Sequence, residues 1–128
     1  MTKEIDIQIA SNYLLQQLKD IYLFRHYHVA NEGKRSVQYK VKLKKMGFLS
    51  GVPDLVVEYP QGKVLYIELK NERGQLSDAQ KLFKVQSSAL ETPHYVVKGS
   101  VKKCLEEIAN IIDRHVPRRG KQTKNSNT

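Results

Sequence analysis

Apolar positions recur at two periods along the chain. From residue 4 to 19, Ile5, Ile9, Tyr13 and Leu14 fall near one face at helical spacing and Leu18 continues it, which predicts an amphipathic helix with Thr2 placed to cap it. Residues 21–29 (IYLFRHYHV) are aromatic and β-branched and alternate, the pattern of a strand, and Asn31-Glu32-Gly33 then reads as a turn. Residues 36–46 have no clean period in Val37, Val41 and Leu43, so an irregular or short helical connection is expected there. Two apolar runs follow, 54–59 (DLVVEY) and 64–69 (VLYIEL), joined by Pro60-Gln61-Gly62-Lys63, a hairpin signal with a four-residue turn. Ser77 with Gln80 forms a capping box that opens a helix with Leu82, Phe83 and Leu90 on its apolar face. Pro93 breaks the chain, 94–97 forms a short strand, and Ser100 caps a last helix. That helix carries Val101, Cys104, Leu105, Ile108, Ile111 and Ile112 on one stripe. The expected fold is mixed α/β with one central sheet, in the order α-β-(irregular)-β-β-α-β-α.

Length adds that 128 residues form one domain, expected over 1–116, with a core large enough to need no disulfide. From Pro117 onward the chain turns polar and basic without an apolar anchor, so 117–128 is expected as a disordered tail. The lone Cys104 has no partner for an internal disulfide, no apolar signal segment opens the chain, and no run is long enough to span a membrane. A soluble, cytoplasmic protein is expected. Charge changes the picture more. Twenty-two Lys and Arg against thirteen Asp and Glu give a net charge of +9, which points to a polyanionic partner, above all nucleic acid. The excess is clustered at Lys40, Lys42, Lys44 and Lys45, and again at Arg118, Arg119, Lys121 and Lys124.

The chemistry lies in the hairpin. Asp54, after Pro53, begins one strand, and Glu68 ends its neighbour. The turn is at the far end, so the two carboxylates are expected opposite each other across the ladder. Side chains alternate along a strand, so Lys70 shares the face of Glu68. Hard oxygen ligands of this kind suit Mg²⁺, or Mn²⁺, with water in the remaining positions. A cation there polarises a phosphoryl oxygen and activates water, and an adjacent lysine orients that water or neutralises charge in the transition state. Either half of the pattern alone is common as a solvated strand edge or a turn; the two in this order, separated by one hairpin, are far more specific.

These residues resemble the PD-(D/E)xK nuclease superfamily and, within it, the virus-type replication-repair nuclease (VRR-NUC) family. The resemblance is carried by His28-Val29-Ala30-Asn31-Glu32-Gly33, Met46-Gly47, Gly51-Val52-Pro53-Asp54, Glu68-Leu69-Lys70 and Gly74-Gln75-Leu76-Ser77 followed by Gln80, and spans residues 4 to about 112. It implies a restriction-endonuclease-like α-β-β-β-α-β core with a C-terminal helix. It also implies roles that spacing does not give. Asp54, Glu68 and the Leu69 backbone carbonyl are the metal ligands, and Lys70 is the catalytic lysine. Glu4 is the acidic residue of the first helix that completes the metal shell, with Asp6 as its competitor. Gln80 faces the active site, although its capping-box role is an equal alternative. Glu32 belongs to a signature of unassigned mechanism, whose plain reading is a turn with Gly33 at positive φ, and His28 is more readily structural than catalytic. Ala30 stands where the family often has proline, which affects the stiffness of that loop.

Nothing in the chain resembles a base-reading element, so structure-directed DNA cutting is expected, with lysines contacting phosphates. Bare domains of this family resemble junction-resolving enzymes in size. A symmetric four-way (Holliday) junction needs paired cuts, and a homodimer offers two centres. Leu23, Phe24, Tyr27, Phe48 and Leu49 are candidates for its interface, with core burial the simpler use of most. The alternatives are a monomeric flap or nicking endonuclease in replication or repair, and a non-catalytic basic DNA-binding accessory protein.

Overall fold

The computed structural model describes residues 1–29 and 36–120. Its elements are α1 (Glu4–Leu18), β1 (Arg25–His28), α2 (Val37–Lys45), β2 (Leu55–Tyr59), β3 (Lys63–Lys70), α3 (Asp78–Ala89), β4 (His94–Lys98) and α4 (Val101–His115). The four strands form one sheet in the order β1-β2-β3-β4. The first two pairings are antiparallel, and β3–β4 is parallel because α3 carries the chain back across the sheet. The mixed α/β architecture is the expected one; the segment after residue 36 is an ordered helix, capped by the Ser36 hydroxyl on the Tyr39 N–H. The Asn31-Glu32-Gly33 turn lies outside the described residues.

Alternation along β2 and β3 divides the sheet into two faces. Leu55, Val57, Leu65, Ile67 and Leu69 form one, joined by Val97, and are buried against α1 and α4. Cys104, Ile108, Ile111 and Ile112 of α4 enter this core as the sequence stripe predicts. On α1 the buried positions are Ile7, Ser11 and Leu15; of the expected apolar face Leu14 and Leu18 pack against the core, while Ile5, Ile9 and Tyr13 are exposed, which corrects that part of it. Both sets repeat every four residues. Ser11 is tolerated at the centre because its hydroxyl donates to the Ile7 carbonyl at 2.6 Å. Thr2 does not cap α1. Its hydroxyl donates to Glu72 at 2.8 Å, and with Asn71 Nδ2 donating to the Thr2 carbonyl it ties the start of α1 to the loop after β3.

On the opposite face, Tyr66 meets Phe83 of α3 edge-on at 5.2 Å. Leu82 and Leu90 remain exposed, which corrects the face expected for α3. The strand expected over 21–29 is shorter, because residues 21–23 pair elsewhere: the Leu23 N–H donates to Pro117, the Arg119 N–H donates to Ile21, and Tyr22 bridges Arg118. The tail expected to be disordered from Pro117 is therefore anchored as far as Arg119; residues 121–128 lie outside the described residues. Phe24 is in the core, whereas Tyr27, Phe48 and Leu49 are exposed. No helix among the described residues is long and apolar enough to cross a membrane.

The approach to Asp54 is fixed by Gly51. Its φ is +80°, and a Cβ there would lie 2.3 Å from the Ala79 carbonyl oxygen and 2.8 Å from the Gln80 nitrogen. Gly51→Ala should therefore destabilise the fold by about 3 kcal/mol or more in chemical denaturation. A wild-type midpoint would mean that this loop can lift from α3 without cost.

Candidate active site

The hairpin register brings Asp54 and Glu68 together. Leu55 pairs with Ile67 and Tyr59 with Lys63, so the loop is the three residues Pro60-Gln61-Gly62 rather than the expected four. One step beyond the Leu55–Ile67 pair, Asp54 stands opposite Glu68. Asp54 Oδ2 accepts the Leu69 N–H at 2.7 Å. A strand residue directs its N–H and C=O to the same side, so the Leu69 carbonyl faces this end of β2 as well.

Glu68 is the anomaly of β3: a carboxylate only 3% exposed, on the face covered by α3. Its Oε2 accepts from Gln80 Nε2 at 3.0 Å and lies 3.9 Å from Lys70 Nζ. Its Oε1 is buried with no hydrogen-bond partner among the described residues. Burial first, then the facing Asp54 carboxylate, push Glu68 up to about 8, with Glu4 adding to the rise and Lys70 opposing it. A buried, partnerless carboxylate oxygen beside a second carboxylate is a position that a cation would complete. The donors are hard oxygens, so the residues present fit Mg²⁺ or Mn²⁺. Among the described residues no three His, Cys, Asp or Glu side chains gather closely enough to hold a metal by themselves. Asp54, Glu68 and the Leu69 carbonyl would leave the other positions to water.

The remaining predicted residues take different places. Gln80 fills both of its alternatives at once: Oε1 accepts the Ser77 N–H at 2.8 Å in the capping box, and Nε2 holds Glu68. Glu4, rather than Asp6, is the acidic group of α1 whose charge reaches Glu68. Its Oε2 accepts the Asn71 N–H at 3.4 Å, at the end of β3. A Cβ on Gly74 would come within 2.9 Å of that oxygen and 3.0 Å of the Lys70 side chain, so glycine is what lets Glu4 and Lys70 approach. His28 lies against the start of β2: its Nδ1 is 2.9 Å from the Asp54 carbonyl oxygen, and the Gln8 side-chain amide meets the same ring. Gln8 was missed in sequence; its signal is its place one turn after Glu4. Glu32 lies outside the described residues.

The Glu68 shift has a measurable consequence. Its folded form holds a proton that the unfolded chain releases near 4.5, so stability falls as pH rises from there to about 8. Burial lowers His26 to about 4, and likewise lowers His94 and His115, which raises stability with pH only below the ordinary histidine value of 6.5. Between pH 6.5 and 8 Glu68 therefore acts without the histidines. Metal-free protein should lose about 5 °C of melting temperature across that interval, and Glu68→Gln should make the profile flat. An equal slope in that variant would remove Glu68 as the cause.

The sheet topology, the helices on both faces and the acid–lysine cluster at one sheet end define the class of fold and site. The VRR-NUC domain matches residues 12–101, and the chain belongs to the VRR-NUC family. That family implies a nuclease-type function, with DNA as substrate. A solved structure of a VRR-NUC domain is similar in fold, with a TM-score of 0.56 and 20% identity over 90% of this chain and 99% of that one. Comparison with curated proteins finds no match.

Proposed function

We propose that the chain is a metal-dependent, structure-selective DNA endonuclease that hydrolyses phosphodiester bonds in branched DNA, with four-way junctions as the preferred substrate and a homodimer as the working form. The observation that carries the catalytic part is the buried Glu68 Oε1, which has no hydrogen-bond partner among the described residues, set beside Asp54 and two residues before Lys70. Asp54, Glu68 and the Leu69 carbonyl would hold Mg²⁺ or Mn²⁺. When bound, such a cation supplies Lewis acidity toward a phosphoryl oxygen and a water.

The chain's own groups do the rest. Lys70, whose side chain is only 12% exposed and whose Nζ lies 3.9 Å from Glu68, would stand beside the reacting phosphate to orient water and balance developing charge. Gln80 fixes the Glu68 rotamer from α3, and His28 fixes the Asp54 backbone from β1. Glu4 adds negative potential at the cluster edge, which favours a cation there. The preference for branched DNA is supported by a surface rich in lysine without a base-reading element, and the homodimer by the paired cuts that a symmetric junction requires.

The test is a panel of end-labelled four-way junction, flap, nicked duplex and plain duplex, each with Mg²⁺, Mn²⁺ or EDTA, beside the mass in solution. Paired cuts in the junction by a dimer are expected. Cutting of flaps without junctions would replace the junction reading by a monomeric flap nuclease. DNA binding without cutting under any condition would replace the enzyme by an accessory protein.

A further inference from the structure

Helix α2 buries none of its residues, and half-buried Leu43 is its deepest side chain. A helix of nine residues is marginal in water by itself, so a fold that presents one this exposed leaves most of its surface to something else. Its side chains are arranged for a particular partner. At about 100° per residue, Lys40 and Lys44 lie one turn apart on one flank, and Lys42 and Lys45 lie on another, roughly 150° around the axis. Val37 and Val41 run between the two flanks as an apolar ridge, 74% and 48% exposed, on the side away from Leu43. None of the four lysines makes an ion pair among the described residues. The helix leads through Gly47 to Gly51, which is seated on the first turn of α3 beside Gln80, and then to Asp54. Whatever α2 holds thereby lies a short stretch of chain from the candidate active site.

We propose that α2 is a wedge that enters between two sugar–phosphate backbones of the DNA, its lysine pairs each contacting one backbone and its valine ridge facing the bases. Charge complementarity selects the partner, and the division of the lysines into two flanks selects two backbones over one, the arrangement found across a groove or at a branch point. The proposal rests on the DNA-nuclease reading above and adds the surface that orients the substrate.

The experiment is the salt dependence of binding to a labelled four-way junction, followed by fluorescence anisotropy in Ca²⁺. Each phosphate contact contributes about −0.9 to the slope of log K against log salt. Lys40→Gln with Lys44→Gln should reduce the slope by about 2, Lys42→Gln with Lys45→Gln by about 2, and all four by about 4. The substitutions touch no core residue, so circular dichroism and melting should stay at wild type. Lys63→Gln with Arg114→Gln, at the hairpin end of the sheet, should leave the slope unchanged. Val37→Ser with Val41→Ser should weaken junction binding roughly threefold at constant slope, as apolar base contacts do not release counterions. If only one flank responds, a single backbone is contacted and the wedge is wrong. If neither responds while the wild type binds with a steep slope, α2 lies outside the interface and the nuclease reading stands. If the wild type itself neither binds nor cuts DNA, both readings fall. Lysine-dependent binding of the wild type to phosphatidylserine vesicles, with DNA binding unchanged in the fourfold variant, would assign α2 to an anionic lipid surface instead.

Discussion

Asp54→Asn is expected to lower DNA cleavage by roughly 10³-fold while raising the melting temperature of the metal-free protein at pH 8 by about 3 °C. The asparagine keeps the volume of the side chain and an oxygen that can accept the Leu69 N–H, now at 2.7 Å, so the end of β2 is preserved. What is lost is the negative charge facing Glu68. After burial, that charge is the largest cause of the Glu68 shift, so its removal relieves the folded state. The same loss removes one of two side-chain oxygens available to a cation. Mg²⁺ should therefore raise the melting temperature of the wild type and not of the variant. Single-turnover cleavage and melting curves with EDTA or Mg²⁺ measure both effects. Cleavage within tenfold of wild type would remove Asp54 from the centre. An unchanged Mg²⁺ response alongside lost cleavage would give Asp54 a role other than holding the cation.

The opposition of Asp54 and Glu68 was legible in sequence because it depends only on two strands joined by a short turn. A three-residue loop in place of the expected four moved the strand ends by one position at β3 and still left the carboxylates facing across the ladder. The α4 stripe was legible for a related reason: a helix with one apolar face has one way to bury it. Helix α1 has two stripes of the same period, Ile5-Ile9-Tyr13 and Ile7-Ser11-Leu15, and the richer one faces outward. A serine satisfied by its own helix does not reveal itself as core in a hydropathy pattern. Helix α3 was misread because its sheet-facing side carries polar groups: Gln80, bonded to Glu68, and Ser87, which donates to the Phe83 carbonyl, face inward with Phe83, while Leu82 and Leu90 stay out. Patterning is least reliable where function places polar groups inside. The anchoring of Pro117 to Arg119 on residues 19–23 was invisible, since it joins the segments that follow α4 and α1 through backbone hydrogen bonds and the Arg119 guanidinium on the Lys19 carbonyl at 2.6 Å.

Lys70→Met should also reduce cleavage, by roughly 10²- to 10⁴-fold, but with the opposite effect on stability. The methionine retains the alkyl stem that packs beside Gly74, so the chain has no new cavity to fill. It removes the positive charge that opposes the rise of Glu68, so above about pH 8, where Glu68 of the wild type ionises, the metal-free protein should melt lower, where Asp54→Asn melts higher. Two variants alike in activity and opposed in stability would tie both effects to the charge balance around Glu68 and exclude general misfolding as the cause of lost turnover. Binding to DNA in Ca²⁺ should stay within about threefold of wild type, because a side chain this enclosed contributes little to the phosphate contacts made by surface lysines. Lys70→Arg separates charge from position. If melting returns to the wild-type value while cleavage does not, the compact ammonium at this point on β3 is required; if cleavage returns as well, positive potential beside Glu68 suffices. Lys70→Met protein that still cuts within tenfold of wild type would place the chemistry elsewhere on the chain.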